Sequence, residues 1–132
     1  MPTAILEGLE QRLRPRTPGP RLTVLQPGLP ELEQPLHGSL YRIGRAADNA
    51  IVIDHTAVSR HHALLENHGG HWLLSDAGST NGLWWRGRRV RGLVLRAGDR
   101  VRFGPADQED LPTLLFESDG STRLDRLGRW GA

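Results

Sequence analysis

From Arg21 onward, apolar residues recur in short runs at alternate or adjacent positions: Leu22 and Val24, Leu40 with Tyr41 and Ile43, Ile51 and Ile53, Leu64 with Leu65, Trp72 and Leu74, Leu93 and Leu95, Leu114 and Phe116. A period of two sends successive side chains to opposite faces of an extended chain, so each run predicts a strand. Asp99-Arg100-Val101-Arg102-Phe103 is the clearest case, with Val101 and Phe103 directed to a core and Arg100 and Arg102 to water. Strands of this kind bury their inner faces only against a second layer. The expected fold is therefore all-β, a two-sheet antiparallel β-sandwich of short strands over residues 21–117.

The flanks break the pattern. Ile5, Leu6, Leu9 and Leu13 fall on one side of a helical wheel between Ala4 and Arg14, with Glu7 and Glu10 early and Arg12 and Arg14 late, which predicts a short amphipathic helix. Arg14-Pro15-Arg16-Thr17-Pro18-Gly19-Pro20 then reads as an extended, Pro-rich linker. Residues 1–20 form an arm and 118–132 a polar tail in which Leu124, Leu127 and Trp130 are the apolar positions. The 132 residues leave room for one domain, and 16 Gly with 9 Pro fit a chain of many turns.

Composition narrows the chemistry. With no cysteine there is neither a disulfide framework nor a thiolate metal site, which suits a reducing compartment. Every one of the 17 basic residues is Arg, yet the formal net charge is only +2. Arginine offers a planar fork for phosphate or carboxylate, whereas so small an excess of charge argues against a general nucleic-acid binder. No apolar run reaches transmembrane length, and the first ten residues lack the basic start and apolar core of a signal peptide. The expected chain is soluble, not secreted, cytoplasmic and without a membrane partner.

Asp76-Ala77-Gly78-Ser79-Thr80-Asn81-Gly82 is the polar run on which the rest is organised, set between the strand-like His71–Ser75 and Gly82–Trp85. Its Asp, Ser, Thr and Asn side chains can bond neighbouring backbone N–H groups and pin a loop in one shape. Loops on a rigid β scaffold are where recognition concentrates. No activated nucleophile, carboxylate pair or phosphate-cradling P-loop accompanies it, so the chain is not expected to be an enzyme. His61, His62, His68 and His71 lack the ligand spacing of a zinc site, and neither metal nor cofactor is expected.

Gly44-Arg45, Asp48-Asn49 before Ile51-Val52-Ile53, Ser59-Arg60-His61-His62-Ala63, Asp76 through Gly82, and Gly98-Asp99-Arg100-Val101 occur in an order and spacing that resembles the forkhead-associated (FHA) domain. The resemblance implies a two-sheet β-sandwich of about eleven short strands that captures phosphothreonine peptides in Ser/Thr kinase signalling. A phosphothreonine carries nearly two negative charges and strong acceptor oxygens, which suits Arg and hydroxyl donors. The resemblance assigns Arg45, Ser59, Arg60 and Thr80 to the phosphate and Asn81 to the peptide main chain. It makes Gly44, His62, Asp76, Ser79 and Gly82 loop supports, with Gly44 letting the backbone turn without a Cβ. The chain departs from the family at Leu83, where Thr is frequent, and at Arg86, where Asn often precedes the glycine.

The implied partner is a phosphothreonine protein or peptide written by an upstream Ser/Thr kinase; nucleic acid is not the expected partner. The alternatives are a phosphate-independent structural adaptor, using the N-terminal helix or the cluster Arg86, Arg88, Arg89 and Arg91, and an intramolecular regulatory domain of a larger protein. A phosphorylated Thr17 or Thr3 would be the internal ligand of such a domain, its tether raising the effective concentration.

Overall fold

The computed structural model describes residues 19–118; the arm before them, with its expected helix and with Thr3 and Thr17, and the tail after them lie outside the described residues. Eleven strands follow one another: β1 (Pro20–Leu25), β2 (Leu32–Pro35), β3 (Leu40–Gly44), β4 (Ile51–Val52), β5 (Ala63–His68), β6 (His71–Asp76), β7 (Leu83–Trp85), β8 (Arg88–Val90), β9 (Gly92–Val94), β10 (Arg100–Arg102) and β11 (Thr113–Ser118). They form a sandwich of a six-stranded sheet, in the order β2-β1-β11-β10-β7-β8, and a five-stranded sheet, in the order β4-β3-β5-β6-β9. Among the described residues there is no helix long and apolar enough to cross a membrane.

The core lies between the sheets and is built from the alternating positions. Leu22 and Val24 of β1, Ile43 of β3, Leu65 of β5, Trp72 and Leu74 of β6, Leu83 of β7, Val101 of β10, and Leu114 and Phe116 of β11 are all buried, as is Phe103 just past β10. Leu40 instead lies 45% exposed, because it has the parity of Arg42 and faces outward.

Two features depart from simple alternation. β3 and β4 pair in parallel, Ile43 with Ile51 and Gly44 with Val52, among pairs that are otherwise antiparallel. This brings the short connection from Arg45 to Ala50 back to the end of β3 and leaves it at the rim of the sandwich. β2 pairs antiparallel with β1 and carries no apolar alternation; Leu32 is 52% exposed. Its anchor is ionic: the buried Arg21 guanidinium of β1 reaches Glu33 on β2 at 2.9 Å and Glu117 on β11 at 3.4 Å, tying three strands across the sheet.

β7 and β8 form a hairpin in which Trp85 pairs with Arg88, so Arg86-Gly87 is a two-residue turn. Both residues have positive φ, 52° and 79°, as a type I′ turn requires. Arg86 occupies a conformation that favours Asn or Gly, and its guanidinium lies 4.6 Å from the centre of the Trp85 ring.

Candidate functional site

Three connections meet at one end of the sandwich: β3 to β4, β4 to β5, and β6 to β7. Arg45 is the first residue beyond β3. Its backbone N–H donates to the Ser59 carbonyl at 3.0 Å, and its Nε donates to the Val58 carbonyl at 2.9 Å. These bonds fix the stem of the side chain while the head is exposed, and its two terminal nitrogens make no bond among the described residues. A guanidinium held by one edge with the other edge open is arranged for a two-point contact with an anion.

Ser59 is placed by the same contacts. Its hydroxyl oxygen accepts from the Thr80 backbone N–H at 3.1 Å, which joins the β4–β5 and β6–β7 connections directly. The hydroxyl proton is left to donate elsewhere. Thr80 is exposed, with its hydroxyl unbonded among the described residues. Arg45, Ser59 and Thr80 are thus brought together by hydrogen bonds rather than by closeness in sequence.

Arg60, next in sequence to Ser59, has an exposed side chain, and its backbone carbonyl works inward, accepting from Ala46 N at 3.1 Å and from Asn49 Nδ2 at 2.7 Å. Asn81 is partly buried and donates one amide N–H to the Ala57 carbonyl at 2.8 Å. The amide is therefore oriented in advance, with its oxygen and second N–H remaining for a ligand.

The supporting residues fall behind these. Gly44 is needed for a different reason from the turn expected of it. It is not among the residues with positive φ; a Cβ there would overlap the Arg60 carbonyl oxygen and stand 2.9 Å from Asn49 Nδ2. Close approach of two backbones, rather than freedom to turn, selects glycine. His62 is completely buried. Its Nδ1 accepts from Ser59 N at 3.0 Å, which leaves Nε2 as the protonated nitrogen donating to the Gly82 carbonyl at 3.0 Å. Burial lowers its pKa below the ordinary 6.5, against the opposing pull of the Gly82 carbonyl and Asp76, with Arg89 adding to the lowering. A neutral ring therefore braces both loops, with Phe103 edge-on at 4.6 Å between ring centres.

Asp76 Oδ1 accepts from Ser79 N at 2.8 Å, and Ser79 Oγ accepts from Gly82 N at 2.9 Å. These two side chains close the loop on itself, while Gly82, at φ 83°, makes the exit into β7. His61 is exposed and faces Asp48 at 3.2 Å.

Two residues named in the sequence only as part of a motif or a basic cluster also support the loops. Asn49 is buried and bonds both the Ala46 and Arg60 carbonyls, riveting the β3–β4 connection to the β4–β5 connection; the Asp48-Asn49 pair was its sequence signal. Arg89 of β8 lies across Gly82, with Nη2 at 3.4 Å from the Ser79 carbonyl and 4.0 Å from Asp76 Oδ2. Its place depends on the hairpin register that pairs Arg89 with Trp84, and no local pattern announces that. Among the described residues no group of His, Asp and Glu is clustered to hold a metal.

A sandwich with these loops at one end defines a class of protein, and the family model of the FHA domain matches residues 41–104. The crystal structure of Mycobacterium tuberculosis Rv1747 FHA-1 is 34% identical, with a TM-score of 0.59, over 75% of this chain and 96% of that one. The chain belongs to the FHA-domain family.

It is also similar to the transcriptional regulatory protein EmbR of Mycobacterium tuberculosis, at 42% identity over 69 residues, or 52% of this chain and 18% of EmbR. The chain therefore spans less than a fifth of that relative's length. The structure of EmbR in complex with a low-affinity phosphopeptide is 30% identical, with a TM-score of 0.63, and the match covers 89% of this chain and 30% of that one.

Proposed function

We propose that this chain is a non-catalytic module that captures a phosphothreonine segment of a partner protein, with Arg45, Ser59 and Thr80 taking the phosphate and Asn81 the peptide main chain. The observation that carries the reading is the half-used guanidinium of Arg45, locked through Nε to the Val58 carbonyl with its remaining edge open beside Ser59 and Thr80. Charge-assisted bonds from Arg and neutral bonds from hydroxyls match an acceptor-only dianion. Arg60 adds a second positive charge for the phosphate or for an acidic neighbour in the peptide. A phosphopeptide in the complex with EmbR supports the same reading.

Phosphothreonine is written by Ser/Thr kinases, so the chain acts downstream of one, in the cytoplasm where kinase and partner meet. A degenerate phosphothreonine peptide library, run beside its phosphoserine and unphosphorylated counterparts, tests this. Enrichment confined to the phosphothreonine library is the expected result. Equal retention of the unphosphorylated library would replace the reading with a phosphate-independent adaptor.

A further inference from the structure

The outer face of the six-stranded sheet carries a feature that phosphate reading does not use. A cleft of about 400 Å³ lies between the β7–β8 turn and β10, lined by Trp84, Trp85, Arg86, Asp99, Arg100 and Arg102 among others. β7 leads away from the recognition loops at Leu83 and ends at Trp85, so Arg86 and the facing Asp99 and Arg100 sit at the opposite end of the strands from Thr80 and Asn81, while Trp84 and its partner Arg102 lie nearer those loops. Register explains the lining. Leu83 and Val101 enter the core, which turns Trp84, Arg100 and Arg102 to the outer face.

Among the residues that line the cleft there are three guanidinium groups to one carboxylate. That carboxylate, Asp99, is already engaged, accepting from Arg96 N at 2.8 Å and facing Trp85 Nε1 at 3.4 Å. The Arg100 side chain is exposed and makes no hydrogen bond or ion pair among the described residues, while its backbone pairs with Leu115 of β11. Arg86 stacks on Trp85, and Arg102 donates to the Ala106 and Gln108 carbonyls, which holds its head in place. The Trp84 ring is anchored by its N–H to the Asn81 carbonyl at 2.8 Å. Fixed aromatic surface beside excess guanidinium charge is a binding surface for an anionic chain with apolar or small residues between its charges.

We propose that this cleft is a second docking site, occupied by an extended acidic segment of a partner polypeptide independently of the phosphate-reading loops. Arg100 and Arg102 are two residues apart on one strand, a separation of about 7 Å that carboxylates at alternate positions of an extended peptide reproduce. The formal charge of only +2 disfavours a polyphosphate chain, whose binding requires many neutralised phosphates.

The test uses the 132-residue chain and an unphosphorylated, end-capped peptide in which Glu alternates with Ser, with Gln replacing Glu in the control. Calorimetry at low salt is expected to show the Glu peptide binding at least tenfold more tightly than the Gln peptide. Arg100→Gln should weaken it fivefold or more, while Arg45→Ala and the pair Arg88→Gln, Arg91→Gln leave it unchanged. Arg100 is exposed, so its replacement should leave the melting temperature where it was. Equal binding of the Glu and Gln peptides, no binding of either, or loss on Arg45→Ala rather than Arg100→Gln would overturn the proposal. Tighter binding of a thymidine hexanucleotide with a steep salt dependence would replace it with a nucleic-acid site. Because Arg45→Ala separates the two sites, failure here leaves the phosphothreonine reading standing, and the reverse holds too.

Discussion

Gly44→Ala should be far more damaging than one methyl group suggests, because the added carbon enters the joint on which the phosphate-facing residues are mounted. The new Cβ would overlap the Arg60 carbonyl oxygen and lie 2.8 Å from its carbonyl carbon and 2.9 Å from Asn49 Nδ2. Two of these atoms are backbone, so relief requires β3 and the β4–β5 connection to separate. Overpacking of that kind costs about 1–3 kcal/mol. The separation also weakens the bonds from Arg45 N to Ser59, from Ala46 N to Arg60, and from Asn49 Nδ2 to Arg60, at about 0.5–1.5 kcal/mol each where lost. A destabilisation of about 2–4 kcal/mol is expected in urea titration, read from the midpoint at constant slope.

Gly92→Ala is the control, since its Cβ would meet only ordinary contacts, 3.5 Å from the Leu74 carbonyl oxygen and 3.7 Å from Leu73 Cδ1, and its φ is unremarkable. That change should lie within about 0.5 kcal/mol of wild type. Arg45 immediately follows Gly44, so folded Gly44→Ala protein should also bind phosphothreonine peptide at least tenfold more weakly, whereas Gly92→Ala should not. Equal stability of the two variants, or full peptide affinity in Gly44→Ala, would refute the argument from close approach.

Gly82→Ala combines an unfavourable φ of 83° with collision against the Arg89 side chain; adding Arg89→Ala should remove the collision and recover about 1 kcal/mol, leaving the backbone strain. Additive losses in that double-mutant cycle would show that Arg89 does not press on the loop. His62 gives a pH dependence of definite sign: its folded pKa is lowered, so the unfolded chain takes up the proton first. Its contribution is fully present above the ordinary value of 6.5 and is lost as pH falls from there through the lowered folded value. One proton sets a maximum slope of about 1.4 kcal/mol per pH unit. Urea midpoints for wild type and His62→Gln between about pH 7.5 and pH 5 isolate that component, and an equally steep decline in both would contradict the neutral, buried brace.

The sandwich was legible because its core strands alternate: Val101 and Phe103 bury as their spacing requires, and the flanking arginines stay outside. β2 was not legible. It is an edge strand held by Arg21 and Glu33, with Leu32 in solvent and Pro35 at its end, so no apolar face exists for a sequence pattern to report. Residues near the polar loops could be named from their chemistry, but their connections could not. Thr80 N meets Ser59 Oγ across a separation of 21 residues, and Arg89 reaches Ser79 only through the hairpin register. Gly44 shows the same limit: glycine itself was visible, while the carbonyl pressed against it belongs to another loop.

Phosphate capture at Arg45 is tested by an NMR titration of the labelled chain with one phosphothreonine peptide, following backbone amides in wild type and in Arg45→Ala. Shifts should concentrate at Gly44–Ala46, Ser59–Arg60 and Thr80–Asn81, be absent with the unphosphorylated peptide and be lost in Arg45→Ala, which should bind about 100-fold more weakly for a lost contact of ~3 kcal/mol. Shifts gathered elsewhere, or an Arg45→Ala variant that binds the phosphopeptide as tightly as wild type, would contradict it.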